Sequence, residues 1–460
     1  MKTLIKLTFL LTLASTAVFG QVSNVETRVD DYVRGQMAKQ KIPGISLAVI
    51  KDGKPLIVKG YGLANIELNV PVKPETIFQS GSMGKQFTAA AVMLLVEDGK
   101  VNLDEKISKY VGDVPDAWKN IVVRQVLTHT AGMANDFSEA DYVQDWTEDQ
   151  LLAKAKAMPL VFEPGTNWAY SNVGYVVLGI MVGKVSGKFY GDFLQERVFK
   201  PLGMTTTRII SEADIVPNRS AGYRLEKGEL KNQEWVSSTM NTTADGSLYW
   251  SILDLVKWDA ALAKGLVLKP SSWNSVYTPA KLANGATYSY GFGWALNTIN
   301  DKRLIEHGGA WQGFRTGISR YVDDGLTVIV LANMAEVDSV ALGHGVAEIV
   351  DPKVIERPNK DADPSLTAAH RQLLESVVGG NVNKDLFAAQ VQKSLLPRLE
   401  SSREQLKSYG PIEKIEVLLR GQEGLTTRNR YLVKFRDLSA VFNVILDDKG
   451  KVASLRIQPR

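Results

Sequence analysis

Strand-like runs stand at the two ends of one long stretch of this chain, and a largely helical segment separates them. Residues 44–66, "GISLAVIKDGKPLIVKGYGLANI", read as two strands around a Lys51-Asp52-Gly53-Lys54 turn. Three further runs come much later: "SYGFGWAL" (289–296), "KRLIEHGG" (302–309) and "FRTGISRYVDDGLTVIVLANM" (314–334), the last a hairpin about Asp323-Asp324-Gly325. Between them, residues 100–240 carry several short helical patterns and many turn residues. "SILDLVKWDAALAKG" (251–265) opens on a capping-box pattern, Ser251 with Asp254, and closes on Gly265. Strands grouped apart from helices imply an α+β fold, in which the early and late strands join in one antiparallel sheet. Residues 339–350 continue as a helix.

The segment "FQSGSMGKQFTAAAVMLLVEDGK" (78–100) raises a chemical question. Phe87, Ala91, Leu94 and Leu95 recur at helical spacing, and Gly99 closes the pattern. Ser82 and Lys85 then share one face with their side chains within reach. A lysine pressed into an apolar helix is costly as a cation. Losing its proton relieves that cost and leaves a base beside a hydroxyl. Unperturbed lysine titrates near ~10.4, so a neutral amine at pH 7.5 needs a shift of about 3 units, which burial and a neighbouring cation can supply in principle.

The rest of the chain bounds the problem. At 460 residues it is long for one core, so two domains are expected. Residues 1–20 read as a secretory signal: Lys2 and Lys6 flank the apolar run 7–13, and Val18 and Gly20 are the small residues of a cleavage site. The expected location is therefore periplasmic or secreted. The run is too short to span a bilayer, and no later segment is long and apolar enough, so no membrane span is expected in the mature protein. Removing residues 1–20 takes away two lysines and no acid, and lowers the formal charge from +4 to about +2. That balance gives no case for a nucleic-acid partner. With no cysteine there is no disulfide framework and no thiol nucleophile. "DPKVIERPNKDADP" (351–364) reads as a linker. Beyond it, a helical pattern over 365–407 and about four strand runs from Ile412 to Ile457, one hairpin over Asp447-Asp448-Lys449-Gly450, make 365–460 a small separate α+β module.

Three ordered motifs complete the pattern: Ser82-Met83-Gly84-Lys85, then Tyr170-Ser171-Asn172, then His307-Gly308-Gly309. With the flanks "VLTHTAGM" (126–133), "FEPGTNWAYSNVGYVVLG" (162–179), "PLGMTTT" (201–207) and "EHGGAWQGF" (306–314), the chain over about residues 25–350 resembles the serine β-lactamase and penicillin-binding-protein superfamily. Within it, the resemblance is to the branch of class C β-lactamases, D-peptidases and family VIII esterases. It implies a β-lactamase/transpeptidase-like fold, an antiparallel sheet flanked by helices plus a helical subdomain.

The resemblance also implies roles. Ser82 is the nucleophile, Lys85 accepts its proton, and Tyr170 passes a proton to the leaving group and helps activate the deacylating water. Asn172 orients Lys85 and bonds the acyl side of the substrate. The backbone N–H groups of Ser82 and Ala310 form an oxyanion hole. Gly308 and Gly309 let substrate lie close against the strand. His307 stands where β-lactamases have lysine, and Gly308 where they have a hydroxyl. Both lost groups help hold a substrate carboxylate, so the pattern favours an esterase or peptidase over penicillin hydrolysis. Arg315-Thr316-Gly317 is a rival for the third motif.

Each residue has a plainer reading. Ser82 alone is a helix N-cap, Tyr170 a core tyrosine, Asn172 a turn residue and His307 a strand-end histidine. His129, in "LTHTAG", reads as a structural hydrogen-bonder behind the site; His344 and His370 have no partners in sequence. Other chemistries lack their signatures: no complete G-x-S-x-G, no H-E-x-x-H and no G-x-x-x-x-G-K-[ST] is present. The expected function is an exported serine hydrolase working through an acyl-enzyme on an ester, a D-amino-acid peptide or a β-lactam, with a small-molecule or peptide substrate and no cofactor. The competing expectation is a catalytically weak, penicillin-binding-like sensor or adaptor. The C-terminal module leaves self-association open.

Overall fold

The computed structural model describes residues 24–459. The expected signal, residues 1–20, lies outside the described residues. The chain forms two compact units, residues up to Ala280 with Ser289–Ile355, and Lys281–Tyr288 with the chain from Glu356 onward.

In the first unit seven strands form one antiparallel sheet in the order Ala295–Ile299, Lys302–Trp311, Phe314–Tyr321, Leu326–Ala332, Gly44–Lys51, Lys54–Asn65 and Val70–Pro71. The early and late strands therefore meet in its middle, where Leu47 pairs with Val330 and Val49 with Val328. Alternation along these strands divides two cores. Leu47, Val49, Val328 and Val330 face Val29 and Val33 of a helix over 24–40, and Leu342 and Val346 of the helix Ser339–Val350. Ala48, Ile50, Ile329 and Leu331 face the other side, toward the larger core built around Phe87, Trp250 and Trp258. With both faces covered, the central strands need no polar alternation. The first hairpin turns through Asp52 (φ 50°) and Gly53 (φ 73°), consecutive left-handed positions that suit the twist of the strands they join.

Two local expectations fail. Residues 289–294 are not a strand: the strand begins at Ala295, and Gly293 (φ 74°) lies against the backbone of Lys85, where a Cβ would come within 2.8 Å. The capping box at Ser251 does not form. The Asp254 carboxylate instead accepts bonds from the backbone and hydroxyls of Thr206 and Thr207. A partner distant in sequence offered four donors where the helix start offered one.

The second unit packs the helices Pro364–Gly379, Ala389–Ser401 and Arg403–Lys407 beside a four-stranded antiparallel meander, Ile412–Glu423 to Val452–Pro459. Leu374, Val377, Tyr431 and Phe442 lie in its core. No helix of the described residues is long and apolar enough to cross a membrane.

Candidate active site

The site starts at a turn. Gly81–Gly84 form a 3-10 turn, and the α-helix proper begins at Lys85 and runs to Glu97. Ser80 anchors the turn: its hydroxyl donates to Gly246 O (2.5 Å) and accepts from Leu248 N, while its carbonyl accepts from Thr316 Oγ1 (2.6 Å). Gly81 sits at φ 53°, and a Cβ there would lie 2.4 Å from the Ala310 nitrogen. Only glycine serves, on both counts. The helix is buried from Lys85 through Leu95, an all-round apolar helix of the interior rather than an amphipathic one. Lys85 has no exposed surface at all.

The Lys85 ammonium nitrogen lies 3.1 Å from Ser82 Oγ, 2.6 Å from Asn172 Oδ1 and 2.5 Å from the backbone oxygen of Asp245. Two of these partners are carbonyl oxygens, which only accept; the third is a hydroxyl, which also donates. A neutral amine is fully satisfied here, with two N–H bonds to the carbonyls and its lone pair facing the serine. Burial lowers the Lys85 pKa from 10.5 to about 8, against the opposing fields of Asp245 and Asp136. At pH 7.5 such a group is neutral in roughly a quarter of molecules. The shift thus has a different origin from the one expected: burial alone produces it, and the neighbouring charges are carboxylates that work against it.

Tyr170 and Asn172 arrive on a loop that leads into the helix Asn172–Ser186. Ser171 caps that helix, accepting from Gly174 N (2.9 Å) and donating to Ala134 O (2.7 Å). His129 holds the same loop from behind. Its carbonyl accepts from Ala169 N, and its Nδ1 accepts from Ser171 N. The ring lies 4.4 Å from that of Tyr170, and burial pushes its pKa well below the usual 6.5. His129 itself sits at φ 61°, a costly conformation for a residue with a side chain. The Lys85 nitrogen lies 4.9 Å from the centre of the Tyr170 ring. The Tyr170 hydroxyl is buried and forms no aligned hydrogen bond among the described residues. Burial raises its pKa, and nearby Ser82 favours its ionised form. The Ser82 and Tyr170 hydroxyls are neighbours without an aligned bond.

The third motif lies on the strand Lys302–Trp311. His307 is buried and turned inward. Its Nδ1 lies 2.6 Å from Gly308 O, an acceptor only, so that nitrogen carries the proton. Its Nε2 then accepts from the Tyr290 hydroxyl at 2.9 Å. Burial, then Lys85, pulls the His307 pKa down to about 4. The ring is neutral and both its nitrogens are engaged inside the protein. The glycines also serve the packing of the protein itself. A Cβ on Gly309 would meet Ser80 O at 2.1 Å and Thr316 Oγ1 at 2.2 Å; one on Gly308 would meet Val340 Cγ2 at 3.2 Å. They make room for the protein's own packing, which seats the strand against the Ser82 turn and brings Ala310 beside it. Arg315-Thr316-Gly317 occupies the adjacent strand, and its Thr316 supports Ser80 from behind.

Sequence reasoning missed Asp136, Asp245 and Tyr290. The signals were faint: an acid inside the apolar-flanked "TTADGSLYW", an acid just past "HTAGM", and a tyrosine inside a run that reads as a strand. His344 and His370 do find partners, Glu306 Oε2 at 2.7 Å and the Tyr431 hydroxyl at 2.7 Å.

The antiparallel sheet and helices that bring Ser82, Lys85 and Tyr170 together have the fold of penicillin-binding proteins. The beta-lactamase family model matches residues 29–350, and the chain belongs to that family. It is similar to a penicillin-binding protein of Bacillus subtilis (strain 168), 28% identical over 77% of this chain and 82% of that one. It is likewise similar to an unguisins hydrolase of Aspergillus campestris, 28% identical over 72% of this chain and 66% of that one. Among solved structures, the octameric penicillin-binding protein homologue from Pyrococcus abyssi aligns with a TM-score of 0.63 at 24% identity, over 94% of this chain and 99% of that chain. The D-amino acid amidase from Ochrobactrum anthropi SV3 aligns with a TM-score of 0.59 at 26% identity, over 70% and 97%.

Proposed function

We propose that the protein is an exported serine hydrolase that cleaves esters or amides through an acyl-enzyme on Ser82. The observation that carries this reading is the surround of Lys85, in which two carbonyls take its N–H bonds and the serine hydroxyl takes the remaining direction. Neutral Lys85 accepts the Ser82 proton as Oγ attacks the substrate carbonyl carbon. The oxyanion forms between the N–H groups of Ser82 and Ala310. Tyr170, held protonated by burial, gives its proton to the leaving group and is reprotonated from Lys85. An ester thus leaves as an alcohol and an amide as an amine. Water then attacks the acyl-enzyme, its proton passes to the Tyr170–Lys85 pair, and Ser82 is regenerated.

Neutral substrates suit the site best. The strand that carries a cation in β-lactamases here carries an uncharged, inward-bonded His307. Carboxylesters and amides or peptides of D-amino acids lead, and β-lactams follow; the likeness to a D-amino acid amidase supports the amide arm. A fluorophosphonate probe tests the chemistry, and a panel of nitrophenyl esters, D-alanyl peptides and a chromogenic cephalosporin tests the preference. Wild type labels and Ser82→Ala does not, with kcat/KM highest on neutral esters or amides. Equal labelling of both proteins removes Ser82 as nucleophile, and a preference for the cephalosporin removes the substrate argument.

A further inference from the structure

The loop 134–136 wraps the start of the helix that carries Asn172. Ala134 O accepts from Ser171 Oγ, and Asn135 O accepts from Asn172 N at 2.7 Å. Asp136 then contacts the Asn172 side chain itself: its Oδ2 accepts from Asn172 Nδ2 at 3.0 Å. Its other oxygen, Oδ1, accepts from the Tyr142 hydroxyl and from Phe137 N. Burial raises the Tyr142 pKa, so that phenol remains a donor.

A side-chain amide has two unlike ends, one donating and one accepting, and turning it over costs little unless a neighbour discriminates between them. A carboxylate discriminates, because it only accepts. With Asp136 on one side, the NH2 end of Asn172 must face Asp136 and its oxygen must face Lys85. That oxygen fixes one N–H of Lys85, the Asp245 carbonyl fixes another, and the direction left over points at Ser82. An Asn172 turned the other way would set NH2 against the lysine amine, and the amine would have to spend its lone pair on the amide instead of the serine.

We propose that Asp136 is a positioning residue: its carboxylate decides which end of the Asn172 amide meets Lys85, and thereby aims the Lys85 lone pair at Ser82. This rests on the acyl-enzyme reading above. Among the described residues Asp136 bonds neither Ser82 nor Lys85, and it acts through Asn172. The other titratable groups around Lys85 are Asp245, Tyr170, Tyr175, His129 and His307, and none of them bonds the Asn172 amide.

The test is Asp136→Asn, which keeps size and removes the discrimination, read out in two ways on the whole chain. Acylation by a nitrophenyl ester, read as the burst of nitrophenol, is expected to slow by roughly 10- to 100-fold. The titration midpoint of Lys85, followed by NMR on protein labelled with 15Nζ-lysine and assigned by its loss in Lys85→Arg, is expected to fall below its wild-type position. Tyr142→Phe, which leaves Asn172 and its carboxylate partner in place, is expected to raise that midpoint, because the carboxylate loses a donor that disperses its charge. Asp136→Glu is expected to recover part of the acylation rate. An unchanged midpoint in both variants, or a lower melting temperature of Asp136→Asn with midpoint and acylation rate unchanged, overturns the proposal. The lysine titration needs no turnover, so a wild type that fails to acylate counts against the proposed function and leaves this inference to be judged by the midpoints.

Discussion

Two buried cations in the first unit have opposite surroundings. Arg320 donates through Nε to Asp259 Oδ1 at 2.7 Å, and Thr327 donates to the same oxygen. Both members of the pair are nearly hidden from solvent. Lys85, equally deep, touches no carboxylate oxygen: its three partners are a hydroxyl, an amide oxygen and a backbone oxygen. A cation bonded to a carboxylate gains nothing by losing its proton, and guanidinium does not lose one in proteins. A primary amine among neutral oxygens can exist in both states. Burial is common to the two sites; what separates a fixed cation from an amine that can titrate is whether a carboxylate is in contact or held off, as those of Asp245 and Asp136 are.

The comparison breaks most sharply at Lys85. Lys85→Met should cut kcat/KM by roughly 10³-fold or more while leaving the far-ultraviolet circular dichroism intact; ordinary turnover in that variant would mean Lys85 is not the base. Arg320→Met should do the reverse. It leaves Asp259 buried without its cation, so urea unfolding should show a loss of about 3–5 kcal/mol, with kcat/KM per folded molecule unchanged. A stability change under 1 kcal/mol would show the pair to be dispensable.

The third test uses pH. The Lys85 pKa is depressed on folding, from 10.5 to about 8. Below pH 8 folded and unfolded chains both hold the proton, and the full penalty of burying the cation applies. Between about pH 8 and 10.5 only the unfolded chain holds it, so stability rises with pH through that window. A change of 2.5 units at 1.36 kcal/mol each makes the gain roughly 3 kcal/mol. The difference in stability between wild type and Lys85→Met should therefore grow by about that much across the window, and a flat difference would mean that Lys85 titrates normally. The smallest effect is expected from Asp245→Asn. Removing a carboxylate that holds Lys85 up should move the acid limb of kcat/KM to below about pH 8, and a limb that moved upward would reverse the assigned sign.

Much of this was legible in one dimension, for reasons that differ by residue. Ser82 and Lys85 are three apart, so a helical backbone alone brings their side chains together. Tyr170 and Asn172 are two apart at a helix start, where an exposed turn and an apolar run mark their place. The strands 302–311, 314–321 and 326–332 announce themselves as strand-like runs joined by the Asp323-Asp324-Gly325 turn. His307 is another matter. Its place on a strand was visible, but its neutrality depends on a hydrogen bond from Tyr290, a residue that read as part of a strand and is not. The fit of Gly309 against Ser80 and Thr316 carried no local signal, because the turn it packs against lies more than 200 residues earlier in the chain. Asp136 and Asp245 carried almost no signal, since a lone acid in a turn-rich stretch is ordinary.

What the amino-acid order determined by itself was local: the helix with its serine and lysine, the strand runs, the loop with its tyrosine and asparagine, and the chemical types on hand. Only the tertiary structure decided the electrostatics. It put Lys85 out of reach of water, set carbonyls against two of its N–H bonds, kept two carboxylates one step off, and turned His307 inward. Proton affinity depends on burial and on distances to groups far away in sequence, and those distances exist only once the chain has folded.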